Sequence, residues 1–149
     1  MPEAITAEAT SLQLTRTYPH SCEKVFNAWT DPRALQAWFG PSDEFKVPHA
    51  EIDLRVGGSY RIVMSRPDGT ELSVGGVYRE VSPHRKLVFT WAWENTPEQE
   101  SLVTVELHEK AQVTELVLTH ERFVDEEARN NHLRGWTGGL ERLGRLVLN

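Results

Sequence analysis

Apolar and polar positions alternate over Ser11–Tyr18, with Leu12 and Leu14 on one face and Gln13 and Thr15 on the other, which predicts a half-buried strand. The spacing then becomes helical. Cys22, Val25, Phe26 and Trp29 share a stripe, Ser21 stands where a capping hydroxyl is needed, and Glu23 suits the positive end of the helix dipole. Asp31-Pro32 repeats the start signal for a second short helix, whose apolar face is Leu35, Trp38 and Phe39 and whose end is Gly40-Pro41.

Over 44–122 the period returns to two, punctuated by turn chemistry at Gly57-Gly58, Arg66-Pro67-Asp68-Gly69, Ser82-Pro83-His84, Asn95-Thr96-Pro97 and Glu109-Lys110. Six strands fit around these turns. One face collects Tyr60, Ile62 and Met64, then Leu87, Phe89, Trp91 and Trp93, then Val103, Val105 and Leu107, then Leu116, Leu118 and His120. In the strand over 72–81, Val74 and Tyr78 compete with Val77 and Val81 for the inner face, and Gly75-Gly76 signals a bulge or a close approach. The last element is a helix over 125–148, opened by Asp125-Glu126-Glu127 and carrying Leu133, Trp136, Leu140, Leu143 and Val147 on its inner stripe. Such a helix is roughly 33 Å long, enough to cross a seven-stranded sheet. Gly135, Gly138 and Gly139 lie inside it, where each costs about 1 kcal/mol relative to Ala. Either another segment packs closely against them or the helix borders a cavity.

Composition narrows the functional classes. The chain has 149 residues, the size of one domain, and no linker or repeat divides it. Residues 1–8 are polar and aperiodic and read as a flexible N-terminal arm; 9–149 read as the domain. A net charge of -6, with no basic stripe, argues against nucleic acid as a partner. The absence of a secretory signal or a long apolar run argues against membrane insertion and for a cytoplasmic protein. The single cysteine, Cys22, rules out an internal disulfide framework and falls on an apolar stripe, so it reads as core. Neither His108-Glu109 nor His120-Glu121 continues into a metal-binding helix motif, and no metal or other cofactor is expected.

The order of elements, together with Ala28-Trp29-Thr30-Asp31-Pro32, Trp38-Phe39-Gly40-Pro41 and Arg55-Val56-Gly57-Gly58-Ser59-Tyr60, resembles the helix-grip fold of the START-like superfamily. Within it the chain is similar to the activator of heat shock protein 90 ATPase homologue family. Asp68-Gly69, Gly76, Leu87-Val88-Phe89-Thr90-Trp91, Leu118-Thr119-His120 and Gly135-Trp136 with Leu140 and Leu143 carry the likeness nearly to the end of the chain. The resemblance implies an α+β domain in which a curved antiparallel sheet grips the C-terminal helix around a hydrophobic cavity.

The expected cavity walls are Trp38, Phe39, Tyr60, Ile62, Met64, Phe89, Trp91, Trp93, Val103, Val105, Leu116, Leu118, His120, Trp136 and Leu140. They suit a small hydrophobic or aromatic molecule. His120 is the sharpest polar candidate, since strand alternation turns it toward the presumed cavity; a paired core histidine is the plainer reading. Glu44, Glu51 and Asp53 read as a solvated face, leaving no acid/base pair. The leading expectation is a non-catalytic binding domain, a monomer or weak dimer. The resemblance adds two alternatives: a stress-response domain acting on a chaperone ATPase, and a cyclase or dehydratase using His120 as its acid/base.

Overall fold

The computed structural model describes residues 10–148 together with the backbone of Ile5–Glu8. The chain runs β1 (Ile5–Glu8), β2 (Ser11–Tyr18), α1 (Cys22–Thr30), α2 (Pro32–Trp38), β3 (Lys46–Ile52), β4 (Ser59–Ser65), β5 (Glu71–Ser82), β6 (Lys86–Trp93), β7 (Ser101–Lys110), β8 (Val113–Glu121) and α3 (Glu126–Arg142). The strands form one sheet in the order β1-β2-β8-β7-β6-β5-β4-β3, antiparallel throughout. The seven strands expected from the alternation are present, with α3 packed against them.

The eighth strand, β1, differs from expectation. Ile5–Glu8, assigned from sequence to the arm, pairs with β2 in register Ile5↔Leu14 to Glu8↔Ser11, while residues 1–4 and 9 lie outside the described residues. Backbone pairing at a sheet edge leaves little periodicity in four residues to detect.

The helix starts are those the sequence signals. The Ser21 hydroxyl accepts from the Lys24 amide at 3.2 Å, Asp31 from Arg33 at 3.0 Å and Asp125 from Ala128 at 2.8 Å. The last helix differs from the expected 125–148. Regular α-helix stops at Arg142, and Leu143–Val147 forms a wider π-turn closed by the Leu148 amide on the Leu143 carbonyl at 3.1 Å. The cause is Tyr18. Its hydroxyl donates to the Leu140 carbonyl at 2.8 Å, and its ring lies so close to Gly144 that a Cβ there would stand 3.0 Å from the ring edge. A hydroxyl that occupies a helical carbonyl competes with the regular backbone bond at that turn.

Alternation decides the core. Leu12, Leu14, Val103, Val105, Leu116 and Leu118 are at most 1% exposed and form one apolar layer beneath α1 and α3. In β5, Val74 and Tyr78 face inward. Gly75-Gly76 is a close approach: a Cβ on Gly76 would sit 2.0 Å from the Thr90 carbonyl oxygen, and one on Gly75 2.7 Å from that of Tyr60. The register slips just after, between Tyr78 and Glu80, which reverses the alternation and explains the ambiguous pattern over this strand. Cys22 is a free, buried thiol that receives the Thr114 hydroxyl at 3.4 Å.

Candidate functional site

Aromatic side chains from three elements meet around an unfilled volume. Period-two alternation puts Trp91 and Trp93 on the same face of β6, their rings T-shaped at 5.7 Å. Trp136 comes down from α3 to within 5.1 Å of Trp91, and Phe39, just after α2, meets both, at 6.0 and 6.1 Å. Together with Trp38, Met64, Phe45 and Leu72 they wall a cavity of about 660 Å³ between α3, the segment after α2 and the strands β4 to β6. That volume lies in the range of small-molecule sites. The exposed Arg66, Asn131 and Arg134 stand at its opening.

The cavity remains unfilled because of how α3 is held. Gly138 lies against the segment after α2, where a Cβ would stand 2.0 Å from the Pro41 carbonyl oxygen; Gly135, one helical turn earlier, has nothing within 4 Å of that position. Arg142 fastens the same segment from below. Its Nη1 donates to the carbonyls of Trp38 at 2.8 Å and Phe39 at 3.2 Å, which the end of α2 leaves without helical partners, and its Nε reaches Asp43 at 3.1 Å. Hydrogen bonds from Arg145 and then Arg142 hold the Asp43 carboxyl below its usual range.

Two histidines complete the polar structure, and each is fixed in one neutral tautomer. His120 is 0% exposed. Its Nδ1 accepts from Trp136 Nε1 at 2.9 Å, so its Nε2 carries the proton and donates to Ser101 Oγ at 2.7 Å, whose own hydroxyl donates to the Trp91 carbonyl at 3.2 Å. Burial, with His132 nearby, holds the His120 pKa well below the usual imidazole value. His132, on α3, donates from Nδ1 to the Ala128 carbonyl at 2.7 Å and accepts at Nε2 from Trp91 and Trp93, both at 3.2 Å. Burial lowers its pKa as well, outweighing the Ala128 hydrogen bond.

The residues expected at the walls divide by depth. Trp38, Phe39, Met64, Trp91, Trp93 and Trp136 line the cavity. Tyr60, Ile62 and Phe89 lie behind Phe39 and Trp91 around a void of about 20 Å³, too confined for more than a water. Val103, Val105, Leu116, Leu118 and Leu140 belong to the packed core, because the end of the sheet that carries the first four, alongside Leu12 and Leu14, is covered by α1 and the C-terminal half of α3. His120 also stays behind the wall, held by Trp136, with both ring nitrogens engaged.

Sequence reasoning passed over His132, Arg66, Asn131 and Arg134. For His132 a signal existed: it precedes Trp136 by four positions and therefore shares its helix face. Among the described residues no group of three His, Cys, Asp or Glu side chains could hold a metal ion, and no helix is long and apolar enough to cross a membrane.

Known proteins place this geometry. The AHSA1 protein of Silicibacter pomeroyi is similar in structure at TM-score 0.79 and 29% identity, over 91% of this chain and 95% of that one. A Chromobacterium violaceum protein superposes at TM-score 0.79 with 26% identity, over 92% and 96% of the two chains. An AHSA1-like protein of Aeromonas hydrophila shares the fold at TM-score 0.75 and 20% identity, over 89% and 90%. No curated protein matches the chain. The family described as activator of Hsp90 ATPase homolog 1-like protein matches residues 19–147, and the chain, with its helix-grip fold, belongs to that family.

Proposed function

We propose that this domain binds a hydrophobic or amphipathic small molecule, without chemical conversion, in the cavity between the sheet and α3. The observation that carries this reading is an aromatic-walled volume of about 660 Å³ opening to solvent at Arg66, Asn131 and Arg134. Burying an apolar body there removes surface from water at roughly 25 cal/mol per Å². The walls are already organised: Trp91, Trp93 and Trp136 each donate their indole N–H to a histidine, so a ligand meets ring faces with no polar group waiting to be satisfied. The same pairing supports a binding role over a catalytic one, since an imidazole whose two nitrogens are both engaged has no free site for a substrate proton.

N-phenyl-1-naphthylamine, an uncharged dye that brightens on leaving water, tests the reading. The protein is expected to bind it, and Gly135→Trp, whose ring would grow from open space into the cavity, is expected to weaken binding more than tenfold without lowering Tm. Dye binding that is absent, or indifferent to Gly135→Trp, removes the proposal.

A further inference from the structure

We infer that the ligand is an amphipathic anion, its apolar body between the tryptophans and its acidic head at the rim between Arg66 and Arg134. This rests on the cavity being a ligand site and adds the charge class. The chain as a whole is acidic, 22 Asp and Glu against 16 Lys and Arg, yet the cavity lining contains two arginines and no carboxylate. The cations stand on opposite walls. Arg66 follows β4 directly, two residues beyond Met64, which pairs with Leu72; Arg134 precedes Gly135 on α3. Neither Arg66 nor Arg134 makes an ion pair with a carboxylate among the described residues, whereas Arg142 and Arg145, at and just beyond the other end of the same helix, both reach Asp43.

Donors dominate the hydrogen-bonding capacity left at the rim. The Asn131 side-chain oxygen accepts from Arg134 Nη2, which leaves the Asn131 amide hydrogens and the remaining guanidinium hydrogens. His132 has its acceptor nitrogen taken by two indoles and its N–H by Ala128. The acid closest in sequence to Arg66, Asp68, makes its hydrogen bond within its own hairpin, accepting the Thr70 amide at 2.8 Å, and meets Arg66 only through space, its carboxyl pKa lowered by Thr70 first and by the Arg66 charge to a lesser degree. The Arg66 backbone is set by that hairpin, donating to the Thr70 carbonyl at 2.8 Å and accepting from Gly69 at 2.9 Å. The rim side chains therefore present mainly donors and no negative charge, with one lone pair of the Asn131 oxygen left over. A carboxylate, sulfonate or phosphate, which only accepts, complements them; an ammonium does not. Water reaches the rim, so the preference is about tenfold rather than thousands.

Two dyes with one ring skeleton separate this inference from the reading beneath it. 8-Anilinonaphthalene-1-sulfonate is N-phenyl-1-naphthylamine with a sulfonate added. The protein is expected to bind the sulfonate about tenfold more tightly at low ionic strength, with the advantage shrinking as salt is raised. The Arg66→Gln/Arg134→Gln double variant is expected to bring the ratio of the two affinities close to one, with circular dichroism confirming its fold. Equal affinities in the unaltered protein, or an advantage that survives the double replacement or is insensitive to salt, overturn the anionic inference while cavity binding stands. Silence from both dyes removes the cavity reading and this inference with it.

Discussion

The two halves of α3 meet the sheet in opposite ways. Toward the C-terminus, Leu140 and, in the π-turn that follows, Leu143 are 1% and 0% exposed, and Tyr18 reaches up to the Leu140 carbonyl, so helix and sheet are locked together. Toward the N-terminus, His132 and Gly135 border open volume, and contact with the sheet is made through the indoles of Trp91 and Trp93. One element is thus a core helix at one end and a cavity wall at the other. Its glycines divide the same way: Gly138 is where another backbone approaches, and Gly135 is where nothing does.

That contrast is most exposed to test at Gly138. Gly138→Ala would place a methyl 2.0 Å from a backbone oxygen and is expected to cost about 3 kcal/mol in denaturant unfolding; a cost below about 1 kcal/mol would mean that the segment after α2 yields easily. His120→Phe comes next, at about 2 kcal/mol, because it leaves the Trp136 indole and the Ser101 hydroxyl without their imidazole partner. The same variant tests the pH response. Burial depresses both histidines in the folded state, so below their ordinary value of 6.5 the unfolded chain binds more protons. Stability should be full above about pH 6.5 and fall as pH drops from there toward the depressed folded values. His120→Phe should make that fall shallower, and an unchanged slope would leave His120 out of it. The smallest effect has the opposite sign: Gly135→Ala should gain about 0.5–1 kcal/mol, since the methyl meets open space and removes backbone freedom from the unfolded chain.

Legibility in the sequence follows the same divide. The packed end was readable because period-two and helical stripes record burial directly, as in Leu116, Leu118 and Leu140. The aromatic half of the cavity was readable for the same reason, since Trp91, Trp93 and Trp136 sit at inner positions whether or not space lies beside them. Periodicity cannot separate wall from core, which is why Tyr60, Phe89 and Val103 were grouped with them. The partners of His120, Ser101 on β7 and Trp136 on α3, depend on how three elements come together, and no local pattern reports that. Arg66 and Arg134 occupy a turn and the polar side of a helix, where charge is ordinary; only the neighbouring cavity distinguishes them. The glycines in α3 posed two alternatives, a close approach or a cavity, and different positions take each.

The position of β2 has a consequence for the order in which the protein can assemble. This early strand pairs along its length with β8, Leu12 opposite His120 and Tyr18 opposite Thr114, about a hundred residues away in the chain. A ribosome delivering residues in order releases the hairpins β3 to β7 able to zip locally and α2 able to pack on β3, while the apolar face of β2 waits for its neighbour. Only when β8 and then α3 emerge can the early strand dock and Arg142 tie off the end of α2, so the sheet and its clasp are completed by the last elements to be made.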